Sequence, residues 1–225
     1  SVTTGTQNVL IGGLAGDAIT TGDNNVALGH EALTANTVGD RSTALGNFAL
    51  KSQNPATNTD MYNVAIGHNA GGDVTTGLNN TLIGGLAGDA LTTAEGNVAV
   101  GYGTLSASTK SAQNVAIGNI ALLSLNHTTT TNSYNVAVGG SAGRNITTGV
   151  QNTLIGGLAG DSLQDADANV AVGTSALGAD TFGSRSTAVG LGALESQNFT
   201  TATQTYNTAV GYSAGAAVTT GIDNV

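Results

Sequence analysis

The sequence predicts an all-β fold, a parallel β-solenoid or β-roll of about twelve short coils. Two observations carry that prediction: one five-residue pattern recurs at fixed spacing, and its alternate positions hold chemically opposite side chains. The pattern Asn/Ser, Val/Thr, Ala/Leu, aliphatic, Gly starts at Asn8, Asn25, Ser42, Asn63, Asn80, Asn97, Asn114, Asn135, Asn152, Asn169, Ser186 and Asn207, and a further copy opens at Asn224. Successive spacings are 17, 17, 21 and 17 residues and the series then repeats, giving a period of 72 and blocks at 8–79, 80–151 and 152–223. Self-similarity at a fixed short period marks a solenoid or array and outranks residue-by-residue propensity. Residues 1–225 therefore read as a single repetitive segment. Both ends fall inside the repeat, since TTGTQNV at 3–9 returns as TTGIDNV at 219–225, so the segment is expected to be cut from a longer repetitive protein.

Each unit can be taken in order, counting from its Asn as position zero. Positions one and three are Val or Thr and Ile, Leu or Val. Position two is Ala except at Leu10, Leu82 and Leu154, and position four is always Gly. A strand sends alternate side chains to opposite faces, so one face is branched and apolar and the other nearly bare. Ala follows at position seven in every complete unit but the one with Thr104, then Leu or Gly, then a polar stretch that often ends in Thr-Thr-Gly. The Gly-bearing turn and Thr-rich segment predict a second, more exposed strand in each coil. Coils stacked at about 4.8 Å place each position over its counterpart and make a rod of about 55–60 Å. Asn8, Asn25, Asn63, Asn80, Asn97, Asn114, Asn135, Asn152, Asn169 and Asn207 then form a structural ladder, in which Ser42 and Ser186 serve in part.

Composition sets further bounds. Charged residues are 8%, aromatics 4%, and there are 34 Gly, one Pro and no Cys. Disorder is not implied, because β-branched residues recur on schedule where disordered chains are poor in them. Five Lys and Arg against a net charge of −9 do not make a nucleic-acid surface. No apolar run approaches the roughly 20 residues needed to insert a helix in a membrane, and no thiolate metal site is available. With few large apolar groups per coil, the thin face is expected to supply the missing burial by close packing of neighbouring chains. Ala65, Gly67, Ala137, Gly139, Ala209 and Gly211 represent that close-packing face, and the predicted assembly is an intertwined or side-by-side homotrimer.

The unit NVAIGHNAGGDVTTGLN beginning at Asn63 resembles the 17-residue repeats of bacteriophage tail-fibre and tail-spike-like proteins. It is also similar to the shorter repeat in the β-roll heads of trimeric autotransporter adhesins. The similarity spans the chain; the regular 21-residue coil departs from it. The resemblance implies a left-handed roll and a trimeric extracellular fibre or adhesin segment, on a virion tail fibre or a cell surface.

The 21-residue coils carry the candidate contact loops, Lys51 to Tyr62, Leu123 to Tyr134 and Glu195 to Tyr206. Their bland reading is a tolerated surface insertion capped by a Tyr. Their functional reading is a periodic surface for a cell-surface glycan, a receptor or a neighbouring fibre, through Lys51, Asn54, Tyr62, Asn126, His127, Tyr134, Asn198, Phe199 and Tyr206. End-to-end or lateral fibre contacts belong to the same reading. Asp17, Asp89 and Asp161 sit in near-copies of a calcium-binding nonapeptide but lack the tandem nine-residue repetition that such a site needs. No metal, cofactor or catalytic group is expected, and the chain is not read as an enzyme. The leading function is a structural shaft or head giving rigid extension and repeated display. The alternatives are an adhesin module acting through the long-coil loops and an ice-binding Thr array.

Overall fold

The computed structural model describes residues 2–225, which form stacked parallel coils with no helix among them. One 12-stranded parallel sheet runs the length of the molecule, from Val9–Ile11 to Thr208–Val210, and each strand pairs with the strand of the next coil. The register is the repeat itself: Val64, Ala65 and Ile66 lie against Thr81, Leu82 and Ile83. Each strand is only three residues long, positions one to three of its unit.

The invariant Gly explains how coils stay so close at the strand end. Gly67 has φ +137, and a Cβ there would stand 2.5 Å from the Gly84 carbonyl oxygen of the following coil. Position four therefore excludes every side chain by space and by conformation.

The chain then turns back through left-handed residues. Position eight is one of them, with Leu33 at φ 53 and Gly71 at φ 58, and its Gly/Leu alternation follows the core. A Cβ on Gly71 would lie 2.7 Å from Leu82 Cδ1, and one on Gly88 2.9 Å from Leu82 Cδ2. The Leu exceptions Leu82 and Leu154 thus occupy space that Gly at position eight leaves on their own coil and the preceding one. Ala at position two otherwise shares its coil with Leu at position eight, except at Ala65, Ala137 and Ala209, where Gly71, Gly143 and Gly215 lie against Leu50, Leu122 and Leu194 of the preceding coil. These arrangements fill one narrow interior, mostly of Ala and Leu, as close-packed cores require.

Two expectations change. Ala65, Ala137 and Ala209 point into the coil, at 0%, 0% and 7% exposure in the single chain, so the thin face is not available to a neighbouring chain. The physical reason is width: at the strand the opposing segment of the coil approaches so closely that only Ala, or Leu beside Gly, fits, while Ile19, Val74 and Ile146 find room elsewhere in the interior and the ranks at positions one and three turn outward. Gly67, Gly139 and Gly211 sit at the turn beside it, and in Gly67 and Gly139 the close packing is with the next coil of the same chain. The second strand is also rarer than expected. The Thr-rich segments mostly bend, exchanging single coil-to-coil bonds such as Thr75 N to Thr92 O at 2.9 Å. A short second pairing forms only where a 21-residue coil follows a 17-residue one: Gly39–Asp40 with Thr59–Asp60, Ser111–Ala112 with Thr131–Asn132, and Gly183–Ser184 with Thr203–Gln204.

Candidate functional site

The Asn ladder is buried and fully engaged. Asn63 donates from Nδ2 to Gly77 O across its own coil at 2.7 Å, and its Oδ1 accepts the Asn80 amide of the next coil at 2.9 Å. The same pair of bonds recurs at Asn135, to Gly149 O and from Asn152 N. Each such Asn closes its coil and fixes the register of the next, except that Asn114 turns its Nδ2 back to Ala112 O at 3.0 Å.

Ser42 and Ser186 are too short to close the coil, and a residue that repeat reasoning overlooked completes the work. Gln53 reaches inward, bonding Ser42 Oγ at 3.0 Å and accepting from Asn63 Nδ2 at 2.9 Å. Gln197 does the same between Ser186 and Asn207. In the middle block the ladder residue is Asn114, and the position equivalent to Gln53 is Leu125. The signal was present in the sequence as a paired exchange, Ser with Gln and Asn with Leu.

The outward face of the long sheet is the largest exposed feature. Position three forms one aliphatic rank, from Ile11 through Leu28 to Val210, and position one a parallel rank of Val and Thr, from Val9 to Thr208, and none of these residues is buried. Leu14, Leu158 and Leu191 extend the apolar surface along one flank. Eleven steps of about 4.8 Å by a strand width of about 10 Å give roughly 500 Å² in projection. That is at the upper end of the patches, about 300–600 Å², that soluble monomers expose.

A second feature follows one corner, where Tyr62, Tyr134 and Tyr206 stand half-exposed just before the ladder Asn, each with a left-handed backbone. Arg41 stacks 5.8 Å above the Tyr62 ring and pairs with Asp60 at 2.7 Å, while Tyr62 Oη bonds Asp60 at 3.2 Å. Arg185 lies over Tyr206 at the same distance, and Tyr206 donates to Gln204 at 2.6 Å. The middle block replaces the pair by Gln113 and Asn132, whose Nδ2 reaches Tyr134 Oη at 3.3 Å. A surface cavity of about 330 Å³ lies beside this corner in the third block, lined by Arg185, Gln204, Thr203, Ser184, Asp165 and Asp167.

The predicted loop residues divide. The three Tyr are exposed, and Lys51 is half-buried, bonding Asn69 at 3.3 Å and lying 3.9 Å from Asp73. Asn54, Asn126 and Asn198 are committed to the preceding coil. Their Oδ1 atoms accept from Thr37, Thr109 and Thr181 hydroxyls at 2.7, 2.8 and 3.0 Å. His127 and Phe199 are turned inward and buried, because the extra residues of the coil need filling. Those two are corrected from contact residues to packing residues.

The Asp residues of the nonapeptide-like stretches are bonding partners as well. Asp17 accepts from Thr34 Oγ1 and Asp89 from Ser106 Oγ, both at 2.6 Å. Asp161 meets Gly178 at that register, and burial raises its pKa, with Arg144 opposing. The Thr ranks are similarly spent: Thr20, Thr75 and Thr92 hydroxyls donate to carbonyls of the next coil at 3.1, 3.1 and 3.0 Å.

Comparison with protein-family models, with curated proteins and with solved structures finds no match to this chain.

Proposed function

We propose that this chain is a structural segment of an extracellular homotrimeric fibre, on a phage tail or a cell surface, with the outward aliphatic ranks of the long sheet as the inter-chain contact. The observation that carries the reading is the chemistry of that face. Twelve coils repeat Val, Ile, Leu and Thr outward while the inward position of the same strands holds only Ala or Leu. Water-facing strands ordinarily alternate apolar-in with polar-out, and this sheet carries apolar residues on both faces. Burying the ranks against two further copies would remove that apolar surface from water and add to the narrow core of each coil. The shaft role follows from form: one fixed register gives stiffness, and the Tyr corners recur every 72 residues as displayed points.

The test is assembly. Ile66→Lys with Val138→Lys places charge in the middle of the ranks without entering the coil. The fibre reading expects a folded chain that no longer associates; unchanged association would remove the face from the interface.

A second reading, adhesion to a glycan, is favoured by the Tyr206 corner, where the Arg185 guanidinium over the Tyr206 ring borders one cavity with the Gln151 and Gln204 amides and the Asp165 and Asp167 carboxylates. Such mixed groups suit sugar hydroxyls. Glycan-array binding that disappears in Tyr206→Ala would support it. Ice binding is disfavoured by the engaged Thr hydroxyls, and measurable thermal hysteresis would reverse that judgement.

A further inference from the structure

The three long coils solve one packing problem differently, and the middle solution leaves polar atoms over. Ser108, Ser111 and His127 occupy the positions held by Asn36, Gly39 and Pro55 in the first block and by Asp180, Gly183 and Phe199 in the third. In the first block Asn36 clasps Gly39, accepting its amide at 3.1 Å and donating to its carbonyl at 2.9 Å. In the third, Asp180 Oδ1 accepts the Gly183 and Phe199 amides, both at 3.1 Å, and Oδ2 accepts from Gln197 at 2.6 Å. Ser108 is one bond shorter than either and does neither. Its Oγ, Ser111 Oγ and His127 Nε2 are buried and make no hydrogen bond within the protein. Exposure is 0% for both serines and 9% for the histidine.

The equivalent positions adjoin one another in the first block. A Cβ on Gly39, the place of Ser111, would rest against Asn36 Oδ1 and 3.1 Å from Pro55 Cδ, the places of Ser108 and His127. Three unpaired buried polar groups converging in one interior are more costly than fixing a single water that pairs with all of them. Buried waters typically make about three hydrogen bonds, and the two hydroxyls and one imidazole nitrogen provide that number with freedom to donate or accept.

We propose that the middle block binds one structural water between Ser108 Oγ, Ser111 Oγ and His127 Nε2, in the place that the Asn36 carboxamide and the Asp180 carboxylate take in the blocks on either side. The site makes the middle long coil hydrated where its two counterparts are closed by protein groups.

A crystal structure at atomic resolution tests this. One ordered peak should lie about 2.6–3.2 Å from all three atoms, and none should appear beside Asn36 or Asp180. In Ser108→Asn/Ser111→Gly, which rebuilds the first block's clasp and removes the Cβ that the amide would meet, the peak should vanish. A native map with no peak and the three side chains paired otherwise would overturn the proposal. So would a peak that survives in that double variant, or equal peaks in all three blocks. The native map decides the matter should the variant fail to fold.

Discussion

The two faces of the same twelve strands obey opposite rules. Inward, position two tolerates Ala, and Leu only where Gly at position eight of its own coil, and of any coil before it, makes room. Outward, positions one and three carry Val, Ile, Leu and Thr that flank their counterparts on adjacent strands and stay partly or fully exposed. Small residues here mark the tightest place in the molecule and large ones the freest. Side-chain size alone therefore does not say which face of a strand is the core; the width of the coil does.

Variants can break that contrast, starting with the most damaging. Gly67→Ala combines positive-φ strain of about 1–3 kcal/mol with a Cβ 2.5 Å from the Gly84 carbonyl, and denaturant unfolding should show the largest loss of this set. Ala137→Leu overpacks a fully buried position and should cost about 1–3 kcal/mol in stability. The outward Val136→Leu beside it should cost nothing measurable. Equal losses in both would mean that the two faces are not different environments.

Gln53→Leu strips a partner from Ser42 and Asn63 and should cost about 1–2 kcal/mol. Adding Ser42→Asn reproduces the Asn114 and Leu125 pairing of the middle block and should recover most of it in a double-mutant cycle. Independent, additive losses would refute the coupling.

The smallest effect concerns pH. Burial lowers the His127 pKa from 6.5, with Asp165 and Asp167 opposing, so the native state favours the neutral ring. Lys110, whose Nζ bonds Thr128 O, lies on the same side. A depressed pKa gives stability that is present above about 6.5 and lost as pH falls through the folded value. His127→Phe, which installs the ring that Phe199 supplies in the third block, should therefore lose less melting temperature than the native chain between pH 7.5 and 5.5. Parallel slopes would show that His127 contributes nothing to acid sensitivity.

Much of this architecture was readable from spacing. Period fixes coil length and register, and the Asn rank and the Gly at position four follow from stacking. The facing of the sheet was not readable, because alternation defines two faces without naming the inner one, and Ala is equally at home in a narrow core or a close interface. The roles of Asn54, Asn126 and Asn198 were hidden for a related reason. A polar residue in a loop looks like a contact residue until the Thr of the preceding coil is seen to bond it. The Gln53 and Gln197 bridges lie ten or eleven residues from their partners, a separation that neither strand nor helix periodicity points to.

The central claim is that the outward aliphatic ranks are covered by two more copies of the chain. Light scattering across a dilution series measures this most directly, comparing the native chain with Ile66→Lys/Val138→Lys. A native mass near three times 21.9 kDa that falls to one chain in the variant, with unchanged β circular dichroism, is the predicted result. A native monomer at every concentration would contradict it.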